Sequence, residues 1–116
     1  MADASGELTD VVVVLTTVGS EDAAATLVSA LLEQRLVGCG TVLPAARSLY
    51  RWEGRVADER EAVVLLKTVR VRLPALEAAF AVLHPYRVPE LLVLPVTAGL
   101  APYLRWVAEE TTQPPA

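Results

Sequence analysis

The sequence contains very few of the side chains that build disulfides and metal sites. Among its 116 residues there is one cysteine and one histidine. One cysteine cannot form a disulfide within the chain, and one cysteine with one histidine cannot supply the four ligands of a structural zinc site. These scarcities exclude a disulfide-stapled module and a zinc module that one chain completes by itself.

Positive charge is also in short supply, with 10 Lys and Arg residues against 14 Asp and Glu residues and a formal net charge of −4. Such a chain repels nucleic-acid phosphates and anionic membrane surfaces. Residues 1–10 carry no basic side chain, so we expect no secretory signal among them. The uncharged stretch 11–20 has roughly half the length of a membrane span. We therefore expect no nucleic-acid partner, no membrane association and a cytoplasmic location.

The chain has the size of one domain. Its mass is 12.4 kDa, 53% of its residues are hydrophobic, and no Gly-, Ser- or Pro-rich linker interrupts it. We expect an N-terminal tail over residues 1–8, a single domain over 9–110 and a C-terminal tail over 111–116.

Hydrophobic spacing and turn residues predict an α+β fold. The predicted elements are a strand over 11–17, a helix from Ser20 to about Arg35, a strand over 40–52, a strand over 62–68, a helix between Pro74 and Pro85, a strand over 91–96 and a helix over 100–110. This order is the ferredoxin-like βαββαβ sandwich with an extra C-terminal helix. The hairpin over 41–68, turned at Glu53-Gly54, is much longer than usual, so its projecting part should lean on another subunit.

Several short motifs resemble those of a known protein family. They are Cys39, Ser48-Leu49-Tyr50-Arg51-Trp52-Glu53-Gly54, Leu66-Lys67-Thr68, His84-Pro85-Tyr86-Arg87-Val88-Pro89-Glu90, Leu94-Pro95-Val96 and Tyr103-Leu104-Arg105-Trp106. With these motifs the chain resembles the CutA divalent-cation tolerance family from about Val11 to Val107. The resemblance implies a ferredoxin-like subunit, a homotrimer of PII-like architecture joined through the long hairpins, and no established catalytic activity. It also implies binding of copper or another divalent metal ion in some members, and no organic cofactor.

The chain departs from the family at the copper ligands. Members described as copper binders carry a Cys near the end of the first strand and two adjacent His before the Pro-Tyr pair. Here Thr16 and Leu83 stand at two of these positions, and only His84 remains. Because metal affinity rises with the number of converging N and S donors, we expect copper to bind weakly.

Cys39 and His84 are the candidate metal ligands, and each has a simpler alternative. Cys39 lies between Gly38 and Gly40, where it is either a soft ligand or redox thiol, or a small apolar side chain in the core. His84 follows the second helix, where it is either a metal ligand or a protonated cap on the helix carbonyls.

Five further residues are candidates for ligand binding or for a subunit interface. Lys67, Tyr86 and Glu90 are the candidate ligand-binding residues, although the simplest role of Lys67 is an ion pair with an acid such as Glu90 in the same sheet. Tyr50 and Trp52 are candidate interface residues, since aromatic side chains with a polar group are enriched at interfaces. Glu59 and Glu61 are interpreted as solvated or inter-subunit ion-pairing groups.

Two functions remain open at the level of sequence. The motifs of hydrolases, metalloproteases, thiol redox proteins and nucleotide-binding loops are missing, so we do not expect an enzyme. The first hypothesis is a homotrimer of the divalent-cation tolerance type that holds metal ions at clefts between subunits. The alternative is a PII-like signalling module that binds a metabolite or nucleotide between subunits, an idea that rests on fold similarity alone. The sequence identifies no other protein partner.

Overall fold

The computed structural model describes residues 9–112, and its elements follow the predicted order. They are β1 (Val11–Val18), α1 (Glu21–Glu33), β2 (Cys39–Trp52), β3 (Arg55–Val69), a short 3-10 helix (Arg70–Arg72), α2 (Leu73–Leu83), β4 (Leu92–Pro95) and α3 (Ala101–Glu110). The predicted tail 1–8 and residues 113–116 lie outside the described residues.

The sheet confirms the ferredoxin-like prediction. Within residues 9–112 it has four strands in the order β2-β3-β1-β4, and all neighbouring strands are antiparallel. The third strand is longer than predicted, since it begins at Arg55 instead of near Ala62. The polar stretch 55–61 forms a strand because it pairs with β2 along its whole length.

The core lies between α1, α2 and one face of the sheet. Ser20 caps α1 as predicted, with its hydroxyl oxygen accepting a hydrogen bond of 3.0 Å from the Ala23 N–H. Gly40 lets β2 pass close beneath α1, because a Cβ atom at this position would lie 2.7 Å from Cγ1 of Val28. The core side chains alternate along β1 and β3 and recur at helical spacing in α1 and α2.

The β2–β3 hairpin projects beyond the sheet as a two-stranded ribbon. β1 pairs with β3 only as far as Ala62, so residues 46–61 pair only with each other among the described residues. Glu53 and Gly54 form the turn with φ angles of 50° and 83°, as a two-residue hairpin requires. We call residues 46–61 the ribbon.

The second face of the sheet is largely uncovered by the described part of the chain. α3 packs on one end of this face, where Val107 contacts Val11 and Val69. The register places a row of other residues on the same face, and most of them are apolar. They are Val13, Leu15, Thr17, Cys39, Thr41, Leu43, Val63, Leu65, Lys67, Leu92 and Leu94, and they are half-buried or exposed. We call this surface the open face.

Candidate functional site

His84 is buried and uses both ring nitrogens in hydrogen bonds within the chain. Its Nδ1 accepts the backbone N–H of Tyr86 at 3.1 Å, so the ring proton belongs on Nε2, which lies 3.0 Å from the Thr16 hydroxyl oxygen. Burial lowers the pKa of His84, and the Thr17 backbone and the charge of Glu61 oppose this effect only in part. The imidazole is therefore neutral and is not a protonated helix cap. The backbone N–H of His84 instead closes α2 on the Phe80 carbonyl.

The residues of one chain do not fit a copper site. Both nitrogens of His84 are occupied, Leu83 packs against the hydrophobic core, and Thr16 is fully buried against the imidazole. Among residues 9–112, no three His, Cys, Asp or Glu side chains lie close enough to hold a metal ion. A tight copper site would need donors that a single chain does not bring together.

Cys39 lies on the other side of the sheet from His84. It pairs with Lys67 in the register, and the Lys67 ammonium donates hydrogen bonds to the Thr41 hydroxyl at 2.8 Å and to the Cys39 sulfur at 3.4 Å. The Tyr103 hydroxyl lies 3.7 Å from the same sulfur. The two candidate metal ligands of the sequence analysis are thus separated by the sheet within one chain.

The predicted ion pair between Lys67 and Glu90 does not form. Lys67 lies beside Cys39 at the β2 edge, whereas Glu90 precedes β4 at the opposite edge, with β1 between them. The carboxylate of Glu90 instead accepts a hydrogen bond of 3.4 Å from the Thr17 hydroxyl. Lys67 therefore belongs to a polar group on the open face and is remote from the other candidate ligand-binding residues.

A cavity of about 940 Å³ lies where the ribbon leaves the sheet. It is bounded by Thr17 at the end of β1, by ribbon residues between Arg47 and Glu61, and by the segment from Pro85 to Glu90. We call it the ribbon-base cleft. It brings together four of the five candidate ligand-binding and interface residues, which are Tyr50, Trp52, Tyr86 and Glu90.

Two tyrosine–glutamate pairs form the polar wall of this cleft. The Tyr50 hydroxyl donates a hydrogen bond of 2.6 Å to Glu59, and the Tyr86 hydroxyl donates one of 2.5 Å to Glu61. The hydrogen bond to Glu59 raises the pKa of Tyr50 to about 12. Burial, followed by the hydrogen bond to Glu61, raises the pKa of Tyr86. Both phenols therefore remain protonated donors at neutral pH.

One of the two roles predicted for Glu61 is excluded in the single chain. Its side chain is only 6% exposed, so it is not a solvated group, and the ion pair between subunits stays a prediction. Glu59 and Glu61 are two positions apart on β3, so their side chains lie on the same side of the ribbon. This side faces the cleft. One feature of the sequence could have indicated the burial of Glu61. Glu59 and Glu61 are two residues apart, directly before the buried part of β3.

Comparisons with known proteins agree with this fold. The family model for the CutA1 divalent ion tolerance protein matches residues 12–110. A divalent-cation tolerance protein of Thermus thermophilus is 43% identical over 99 residues, which cover 85% of this chain and 96% of the relative. One from Escherichia coli is also 43% identical, over 92% of this chain and 96% of its own length.

A solved structure gives the same result. The Thermus thermophilus protein Cut A1 superimposes with a TM-score of 0.85 at 42% identity, covering 88% of this chain and 99% of that one. These relatives give no support to the signalling alternative. In the described part of the chain, no helix is both long and apolar enough to cross a membrane. The family model runs from the second residue of β1 to the last residue of α3, and the chain therefore belongs to the CutA1 divalent ion tolerance family.

Proposed function

We propose that this chain acts in the cytoplasm as a homotrimer of the divalent-cation tolerance type, without catalysing a reaction. The observation that carries the assembly is the open face. Leu43, Leu92 and Leu94 on this face are 49%, 54% and 44% exposed. A row of apolar side chains of this length on one sheet face is typical of a protein–protein contact.

The ribbon supports the same assembly. A two-stranded ribbon gains little stability by itself in water. This one also exposes Leu49, Trp52 and Val56 near its tip. A neighbouring subunit that packs against the ribbon would bury these side chains and cover the free edge of β2.

Divalent ions, copper included, would bind in clefts between subunits. A single chain offers no group of three donor side chains among residues 9–112. Cys39 lies on the open face, and it would meet donors of a neighbouring subunit there. The single imidazole of each chain, that of His84, already forms hydrogen bonds with Thr16 and Tyr86. The proposed sites therefore have few nitrogen and sulfur donors, and they bind metal ions weakly.

The test measures assembly and metal binding in the same variants. Leu43→Asp places a charge on the open face, whereas Val82→Asp places one on the exposed side of α2 as a matched control. Copper and zinc are titrated calorimetrically into wild type and both variants, and each mass is measured by light scattering. We expect Leu43→Asp to lose both the trimer and metal binding, and Val82→Asp to keep both. Metal binding that persists in a monomeric Leu43→Asp protein would contradict shared sites.

A further inference from the structure

β2 carries one residue more than β3 at the point where the ribbon leaves the sheet. The register steps from the pair of Leu43 with Val63 to the pair of Ala46 with Glu61. Two residues of β2 therefore lie opposite Ala62 alone, which is a β-bulge. β3 pairs with β1 only as far as the same Ala62. The bulge thus lies at the boundary between the sheet and the ribbon.

The two residues of the bulge are Pro44 and Ala45. Proline has no N–H for the ladder, and within sheets it is confined to edge strands and bulges. Ala45 has a φ angle of 58°, a left-handed conformation that is unfavourable for alanine and that glycine adopts readily. The Ala45 carbonyl accepts a hydrogen bond of 3.2 Å from Nη1 of Arg60 on β3. The opposite strand thus helps to hold a strained residue in place.

The bulge affects the whole ribbon beyond it. A bulge bends its strand and increases the local twist. It also takes up the extra residue, so that Ser48 pairs with Glu59 and Trp52 pairs with Arg55 at the turn. Regular pairing after Leu43 would instead shift β2 by one residue, and each of its side chains would turn to the other side of the ribbon. The bulge therefore sets both the direction of the ribbon and the side on which Trp52 lies.

This side of the ribbon continues the open face. Along β3, Glu61 and Glu59 lie on the same side as Val63 of the open face, because these residues are two positions apart. The register places Tyr50 and Trp52 on this side too, and the Tyr50 hydroxyl donates a hydrogen bond to Glu59 there. The surface proposed as the interface thus runs from the sheet onto the ribbon without changing sides.

We propose that the bulge positions the ribbon for assembly, so that its Trp52 side and the open face form one surface that contacts a second copy of this chain. This role rests on the proposed trimer and adds the element that aims the ribbon at the neighbouring subunit. A second copy is the partner because the surface is continuous with the proposed interface. The strained conformation of Ala45 is kept because a straight strand would carry Trp52 away from that subunit.

Deletion of Pro44 tests the direction of the ribbon without changing its pairs. Ala45 would then lie opposite Ala62 in a regular ladder, and every pair from Ala46 to the turn would remain. We expect this variant to fold, with an unchanged circular dichroism spectrum. In sedimentation at several concentrations its trimer should dissociate at a protein concentration at least about tenfold higher than that of wild type, because Trp52 no longer reaches the neighbouring subunit.

A readout within one chain checks the register of the deletion variant. The hydrogen bond to Glu59 raises the pKa of Tyr50 to about 12. The corresponding step of tyrosinate absorbance should persist in the variant, and it should move toward the ordinary pKa of 10 when Glu59→Gln is added.

Arg60→Gln replaces the deletion if that variant does not fold or loses this step. It removes the hydrogen bond to the Ala45 carbonyl and should weaken association at least about threefold. Arg51→Gln, on the same side of the ribbon, is the matched control and should leave association unchanged.

Glycine substitutions test the strained conformation itself. Ala45→Gly should keep the trimer and raise the urea midpoint, because glycine adopts a φ angle of 58° without strain. Ala46→Gly is the matched control at a neighbouring residue without a positive φ angle, and it should lower the midpoint through the greater freedom of glycine in the unfolded chain.

Two outcomes would overturn the role of the bulge alone. The first is a wild-type trimer together with equally tight association of the folded deletion variant, or of Arg60→Gln in its place. The second is a urea midpoint that Ala45→Gly lowers as much as Ala46→Gly does. A wild-type mass of 12.4 kDa would instead overturn the proposed trimer and the role of the bulge together.

Discussion

The Nε2 atom of His84 lies 3.0 Å from the hydroxyl oxygen of Thr16, across 68 residues of sequence. Thr16 stands where the copper-binding members that the chain resembles have a cysteine. The Thr16 hydroxyl forms a hydrogen bond with Nε2, and the backbone N–H of Tyr86 donates one to Nδ1. Neither ring nitrogen of His84 is therefore available to a metal ion. The one histidine of the chain is thus a structural residue that joins β1 to the segment after α2.

Copper binding should therefore be weak and should respond little to loss of the imidazole. In a competition against a chelator of known affinity, we expect His84→Ala to change the copper affinity of wild type by less than about threefold, since both ring nitrogens are already hydrogen-bonded within the chain. Cys39→Ser should weaken the remaining affinity, because the thiol is the soft donor of the proposed sites between subunits. A submicromolar copper site that His84→Ala abolishes would contradict this expectation.

Restoring the family's ligands should create a copper site. The double variant Thr16→Cys/Leu83→His supplies a thiolate and a second imidazole and removes the hydroxyl that occupies Nε2 of His84. We expect copper affinity to rise by at least about tenfold, because soft donors then converge. Thr16→Ser with Leu83 retained is the control and should show no gain. An unchanged affinity in the double variant would show that the backbone at this position cannot bring the ligands together.

The buried imidazole also predicts a pH dependence of stability. The pKa of His84 is lower in the folded protein than its ordinary value of 6.5. The unfolded chain therefore takes up the proton first, and the free energy of unfolding falls as the pH falls through 6.5 toward the folded pKa. Urea midpoints between about pH 7.5 and about pH 5.5 should fall in wild type and change less in His84→Gln. If the urea midpoints of both proteins changed equally with pH, groups other than His84 would cause the dependence.

The tyrosines should titrate at unusually high pH. The chain has three tyrosines, and the pKa is raised for each: Tyr50 to about 12 through Glu59, Tyr86 through burial and Glu61, and Tyr103 through burial and Cys39. Tyrosinate absorbance in the folded protein should therefore develop above the ordinary pKa of 10. Glu59→Gln should return one phenol toward 10, whereas Glu77→Gln should not. A wild-type phenol that titrates at 10 would contradict the paired arrangement.

Trp52 should contribute strongly to assembly. The indole is 44% exposed at the end of the ribbon, where an adjacent subunit would bury it. We expect Trp52→Ala to weaken association by about 2 kcal/mol or more, as central aromatic residues do at interfaces. Sedimentation at several concentrations measures this loss, with the exposed Glu77→Ala as control. Equal dissociation of both variants would exclude Trp52 from the interface.

Local signals in the sequence predict the elements well. Ser20 before α1 and Gly54 in the hairpin turn each act within a few residues, and the structure confirms both. The continuous apolar, β-branched run of β1 predicts a strand, and its pairing with β3 follows from the ferredoxin-like order. This is why the element order and the sheet could be predicted almost completely.

The polar contacts could not be predicted in the same way. The burial of Glu61 depends on Tyr86, which lies 25 residues further along the chain and reaches it only when the segment after α2 has folded back. The missing pair of Lys67 and Glu90 depends on the order of the strands, which places β1 between β3 and β4. Such contacts depend on the tertiary structure, and no local pattern of residues predicts them.

The molecular mass in solution tests the central claim most directly. Light scattering coupled to size exclusion, over a range of micromolar concentrations, should give about three times the 12.4 kDa of one chain. It should also show little dissociation on dilution, because the proposed contact through the open face and the ribbon would be extensive and apolar. A mass near 12.4 kDa at these concentrations would contradict the proposed trimer and the metal sites shared between its subunits.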